Sequence, residues 1–137
     1  MDDKCVFCKI IKSEIPSHKV YEDGNTFAFL EIKPSAPGHL MVVHKRHGES
    51  VIDYSKKELG EIMTTVRKTS ISLEKVLSCD SITIGINHLE KKGIRHLHIH
   101  LIPRWANDGG GIMQTIVNNP PKEKIGDLAQ KIRKELM

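Results

Sequence analysis

Short apolar segments and longer periodic ones alternate along the chain and divide it into strands and helices. Three strand candidates, His18–Glu22, Thr26–Ile32 and His39–His44, follow one another without a helix between them. Asp23-Gly24-Asn25 separates the first two and has the chemistry of a hairpin turn. The connector Lys33-Pro34-Ser35-Ala36-Pro37-Gly38 is fixed by two prolines and a glycine. Ser81–Asn87 alternates as a strand does, and Arg95–Pro103 supplies a fifth.

The helical spacing is strongest in the middle of the chain. Ser55 followed by Glu58 is a capping box. Beyond it Leu59, Ile62, Met63, Val66, Leu73, Val76 and Leu77 recur at a period near 3.6, opposite Lys57, Glu61, Lys68 and Lys75. This predicts a helix over about 55–78. A short helical turn is expected at 5–12, with Phe7, Ile10 and Ile11 inward and Ile15-Pro16 ending it. A last helix is expected at 121–136, with Pro121 as its first residue and Ile125, Leu128, Ala129, Ile132 and Leu136 as its apolar stripe. Strands in succession, rather than alternating with helices, indicate an antiparallel α+β domain.

At 137 residues the chain has the length of one domain with a core of its own, so residues 1–137 are read as a single domain. No apolar run reaches the roughly 18 residues of a membrane span, and no apolar segment of a secretory signal follows Met1-Asp2-Asp3-Lys4. Three cysteines in such a chain are expected to be reduced thiols, which fits the cytoplasm, with nuclear entry open by size. The formal charge of +4 suits small anionic ligands, and 4% aromatic residues do not furnish a stacking platform for a nucleic acid polymer. No membrane partner is expected.

Of eight histidines, three lie within five positions: His96-Leu97-His98-Ile99-His100-Leu101-Ile102. On a strand, Leu97, Ile99 and Leu101 share one face and His96, His98 and His100 the other. An exposed polar face would carry mixed polar residues rather than three imidazoles. Two chemistries use imidazoles in this arrangement. One is metal ligation, although the outer pair lies about 13 Å apart along a straight strand, so a further ligand would have to come from elsewhere. The other is nucleophilic attack on phosphorus by one neutral imidazole while its neighbours orient it and hold the phosphate oxygens.

The segment matches the pattern His-φ-His-φ-His-φ-φ (φ, apolar), followed by Pro103-Arg104, and resembles the histidine triad family. Cys5-Val6-Phe7-Cys8-Lys9-Ile10-Ile11, Glu14-Ile15-Pro16, Ala28-Phe29-Leu30-Glu31-Ile32, Ala36-Pro37-Gly38-His39, His44-Lys45-Arg46-His47 and Asn87 are similar to further segments of that family, in order, over nearly the whole chain. The resemblance is to the branch of nucleoside phosphoramidases and bacterial-type hydrolases. It implies a five-stranded antiparallel sheet with a long central helix and a C-terminal helix, a homodimer, and a purine nucleotide as ligand. His98 would be the nucleophile, forming a nucleotidyl-histidine and releasing a nucleoside monophosphate from a phosphoramidate, an adenylate or a dinucleoside polyphosphate. His100 would contact the phosphate and His96 would support the site. Glu31 stands where the family has an aspartate for the ribose hydroxyls. Phe7, Ile10, Ile15, Phe29 and Ile32 match the base pocket, and Asn87 a phosphate contact.

Between Asn87 and His96 the chain is shorter than the family pattern and lacks its glutamine and its serine or threonine. Lys92 and Gly93 fall near those positions, one offering charge and the other a close backbone approach. Nothing replaces the hydroxyl that would help the leaving group. The resemblance further implies a structural zinc held by Cys5, Cys8, His47 and His96, and no organic cofactor. His18, His39, His44 and His88 are expected at the surface or in turns, and Cys79 near the end of the long helix. Two rival readings are a metal-binding protein with the triad as ligands, and a nucleotide-binding scaffold with little catalysis.

Overall fold

In a computed structural model that describes residues 2–136, five antiparallel strands form one sheet in the order β1-β2-β3-β5-β4. They are β1 (Lys19–Glu22), β2 (Thr26–Leu30), β3 (Leu40–His44), β4 (Ser81–Gly85) and β5 (His98–Arg104). The α+β architecture is the expected one. Each strand face packs against its own helix. Ala28, Leu40, Val42, Ile99 and Leu101 face α2 (Lys56–Leu77) with Leu97 beside them, while Phe27, Phe29, Met41 and Val43 face α1 (Val6–Ile11). The period-two alternation therefore serves two cores, one on each side of the sheet.

Helix α2 begins where its sequence signature puts it. Ser55 Oγ accepts from the Glu58 amide at 3.2 Å, and Glu58 Oε2 accepts from the Ser55 amide at 2.8 Å. Its buried face is Ile62, Thr65, Val66, Thr69 and Leu73, whereas Met63 and Val76 are exposed, against expectation. The apolar periodicity spread too far round the helix, because two of the inward positions are threonines. Asp23 takes the hydroxyl proton of Thr26 at 3.1 Å, so Thr65 donates to Thr26 across 2.6 Å. Thr69 returns its hydroxyl to the Thr65 carbonyl at 2.8 Å. Each buried hydroxyl thereby has a partner, which a core threonine requires.

Two other expectations are corrected. The last helix, α3, spans Ile125–Leu136, so Pro121 lies four residues before it rather than at its first position. None of its residues is buried; Ile125, Ile132 and Leu136 are exposed and Leu128 and Ala129 only half-buried. Strand β5 begins at His98 rather than Arg95. His96 therefore precedes the ladder, and its backbone amide bonds to the Ile94 carbonyl instead.

Candidate functional site

Strand β5 pairs His98 with Val43 and His100 with Met41 on the side of the sheet that α1 covers. Phe7 of α1 meets the His98 ring edge to face, with centroids 5.1 Å apart. Each imidazole is set by what lies behind it. His98 Nδ1 is 2.7 Å from the His96 carbonyl and donates to it, which leaves the lone pair on Nε2. His96 Nε2 donates to the His44 carbonyl at 2.8 Å, which leaves the lone pair on Nδ1. His39 is the reverse case. Its Nδ1 accepts from the Ser35 amide at 3.1 Å, so its Nε2 carries the proton and donates to His100 Nδ1 at 2.9 Å. His100 is then left with its proton on Nε2.

Burial, reinforced by the neighbouring His98 and His39, pushes the pKa of His100 down to about 4, so at neutral pH it is an uncharged donor. Burial also lowers His39, against the opposing charge of Glu31. His100, His39, Ser35, Gly85 and Asn87 border a hollow of about 290 Å³. Gly85 pairs with His100 in the sheet and presents no side chain beside the ring.

On the far side of His96 lies a second cluster. Cys5 Sγ is 3.5 Å and Cys8 Sγ 3.6 Å from His96 Nδ1, and Cys8 Sγ is 3.5 Å from His47 Nδ1. All four donor atoms lie within 4.8 Å of one another. In a tetrahedron with zinc–sulfur bonds near 2.3 Å and zinc–nitrogen bonds near 2.1 Å, the sulfur–nitrogen edge is about 3.6 Å. The donor set, its spacing and the lone pair turned inward by the His44 carbonyl all fit that ion. Burial pushes His96 down to about 4, which keeps it in the neutral form that a metal ligand requires.

The family model for the HIT domain matches residues 12–107 of the chain. The chain belongs to the HIT domain family. Relatives of this HIT protein include an uncharacterised HIT-like protein of Borreliella burgdorferi, 39% identical and covering 93% of this chain and 95% of its own. An adenosine 5′-monophosphoramidase of Saccharomyces cerevisiae is 35% identical, covering 100% of this chain and 83% of its own. Among solved structures, a protein from Streptococcus mutans UA159 superposes with a TM-score of 0.88 at 33% identity, over 100% of this chain and 88% of that one. A zinc-bound histidine triad family protein from Mycobacterium smegmatis gives 0.71 at 26%, over 96% and 94%.

Not every residue that the sequence marked meets at the HIT triad. Asn87 borders the same hollow as His100. Glu31 lies beside His39 and His100, with carboxylate and ring nitrogens within 4.8 Å. Phe7, Ile10 and Phe29 are buried in the α1 core, and Ile15 packs half-buried against it. Ile32 is 77% exposed. Lys92 is exposed, and Gly93 lies against the side chain of Glu90. Two histidines expected at the surface are buried. His39 is bonded to His100, and His44 Nε2 to Glu61 Oε2 at 3.0 Å. Each sits at or beside an end of β3, where alternation gives no warning, and its partner lies far along the chain. Glu90, whose Oε1 is 3.9 Å from His98 Nε2, carried no signal in the sequence at all. His18 and His88 are exposed, as expected.

Proposed function

We propose that this HIT protein hydrolyses nucleoside 5′-phosphate derivatives through a nucleotidyl intermediate on His98. The observation that carries this reading is the fixed pair of rings on β5. His98 offers a lone pair at Nε2, while the adjacent neutral His100 offers a proton at Nε2, 4.9 Å between ring centroids. In the first step the Nε2 lone pair attacks the α-phosphorus, a nitrogen–phosphorus bond forms, and the bond to the leaving group breaks with its electron pair, an amine leaving group taking its proton from solvent. His100 donates to a non-bridging oxygen as charge develops there, and the Asn87 side chain borders the same space. Water then attacks phosphorus, the nitrogen–phosphorus bond breaks, and the nucleoside monophosphate departs. One difficult displacement becomes two easier ones.

Support for the substrate class comes from the relative named as an adenosine 5′-monophosphoramidase. Glu31 is assigned the ribose hydroxyls, from its place beside His39 and His100. Zinc is assigned to Cys5, Cys8, His47 and His96, as a peg between α1 and the segment leading into β5. Bound there, zinc supplies structural linkage rather than chemistry at phosphorus.

The test is to mix the protein with adenosine 5′-phosphoramidate or diadenosine polyphosphate and measure its intact mass after rapid quenching. The expected result is a gain of one adenylyl group, absent in His98→Ala, whose turnover falls by about 10⁴-fold or more. Turnover by the wild-type protein with no adduct, or turnover retained in His98→Ala, overturns the proposal. The two substrates compared in kcat/KM show how far the missing hydroxyl limits amine leaving groups.

A further inference from the structure

Hydrolysis of the His98 adduct needs a base for water, and neither ring of the pair on β5 is free to serve. His98 Nε2 holds the phosphorus, and His100 has its proton on the exposed nitrogen. Glu90 lies in the segment where this chain departs from the family pattern. Its Oε1 stands 3.9 Å from His98 Nε2, too far for a hydrogen bond and close enough to border any group attached there. Displacement at phosphorus is in line, so the entering oxygen comes within roughly 4 Å of Nε2 in the transition state. In the unliganded site the carboxylate stands at about the distance of that entering oxygen, and its 38% exposed side chain is free to swing aside to hydrogen-bond distance of the water.

Its position is built into the loop. A Cβ on Gly93 would lie 1.8 Å from Glu90 Oε1, 2.2 Å from Cδ and 2.3 Å from Cγ. Glycine here leaves room for the Glu90 side chain, which any Cβ would push aside. Leu89, immediately before Glu90, has φ +53°, an uncommon conformation for a leucine that re-aims the chain at this point. Asn87 and Glu90 thus reach His98 and His100 from one short segment.

We propose that Glu90 is a catalytic residue, the general base that activates water for hydrolysis of the nucleotidyl-His98 intermediate. Water attacks phosphorus and an oxygen–phosphorus bond forms. The nitrogen–phosphorus bond breaks and its electron pair returns to Nε2. The proton of water passes to the Glu90 carboxylate and from there to solvent. A carboxylate beside a phosphoryl group costs electrostatic repulsion.

The inference rests on the covalent reading and is tested one step later. Wild type, Glu90→Gln and Gly93→Ala are mixed with adenosine 5′-phosphoramidate, and adduct and free adenosine monophosphate are followed in time. In Glu90→Gln the adduct is expected to form at the wild-type rate and to persist, its breakdown slowed about 10²-fold. Gly93→Ala, which pushes the carboxylate aside, is expected to accumulate adduct in the same way, and Glu90→Asp to restore part of the breakdown rate. Adduct that forms and breaks down at wild-type rates in Glu90→Gln overturns this inference while leaving the covalent reading intact. Slow formation with normal breakdown overturns it as well, since the carboxylate would then act on the first step. No adduct in the wild-type protein overturns the covalent reading itself.

Discussion

Two groups of histidines flank His98, and they are wired in opposite senses. Around His96 a backbone carbonyl lies behind the ring and takes its proton, so a lone pair points inward at two thiols and a second imidazole. Around His39 a backbone amide lies behind the ring and takes its lone pair, so a proton points inward at His100. The residue types are similar, and Glu31, His39 and His100 are spaced closely enough to suggest a second metal site. The wiring argues against one: a cation at His39 Nε2 would have to displace the proton that the Ser35 amide holds there. The lesson is that a cluster of imidazoles is read from the main-chain group behind each ring. A carbonyl makes a ligand or a nucleophile, and an amide makes a donor.

The contrast can be broken from either side. Removing zinc from the site assigned to Cys5, Cys8, His47 and His96 is expected to have the larger effect on the molecule as a whole. Zinc extraction by a chelator, or Cys8→Ser, is expected to lower stability by about 2–4 kcal/mol, because the ion's binding energy is part of the folding energy. Differential scanning calorimetry with and without added zinc measures it. A fall that zinc reverses in the wild-type protein but not in Cys8→Ser confirms the assignment, and an unchanged melting temperature with zinc removed would refute it. His39→Ala tests the other group. It frees His100 to take the wrong tautomer and is expected to cut kcat by about 10–100-fold while zinc content stays at the wild-type level. Equal turnover in His39→Ala would show that the proton wiring is idle. The smallest effect concerns pH. The folded-state pKa of His100 lies near 4, below the 6.5 of an unperturbed histidine, so between those values the unfolded chain binds the proton and the folded one does not. This contribution to stability is present above pH 6.5 and is lost as pH falls toward 4. A His100→Gln variant, compared by urea titration at pH 7 and pH 5, is expected to lose less stability between the two than the wild type.

The sequence and the structure agree where local chemistry decides. The capping box at Ser55 marks the start of α2, and alternation in 98–102 puts the two rings of β5 on one face. They part where a partner arrives from elsewhere in the chain. Thr65 and Thr69 look like surface positions until Thr26 comes across from β2. His39 looks like a turn residue until His100 is beside it, and Glu90 looks like one more charge in a polar loop. Met63, Val76 and the stripe of α3 show the converse: apolar spacing proposes a face, and only packing decides whether anything covers it.

The order of the strands also sets the sequence of events by which the site comes into being. The β1–β2 hairpin and the β2–β3 pair join near neighbours, but β3 meets β5 across 61 residues, from Leu40 to Leu101. The centre of the sheet is its most distant pairing, and closing so long a stretch of chain is what slows the folding of such topologies. That same closure carries His98 to Val43 and His100 to Met41 and sets His96 against the thiols of the α1 segment. The paired imidazoles are therefore assembled in the step that completes the core, and a chain halted before it has neither them nor the core.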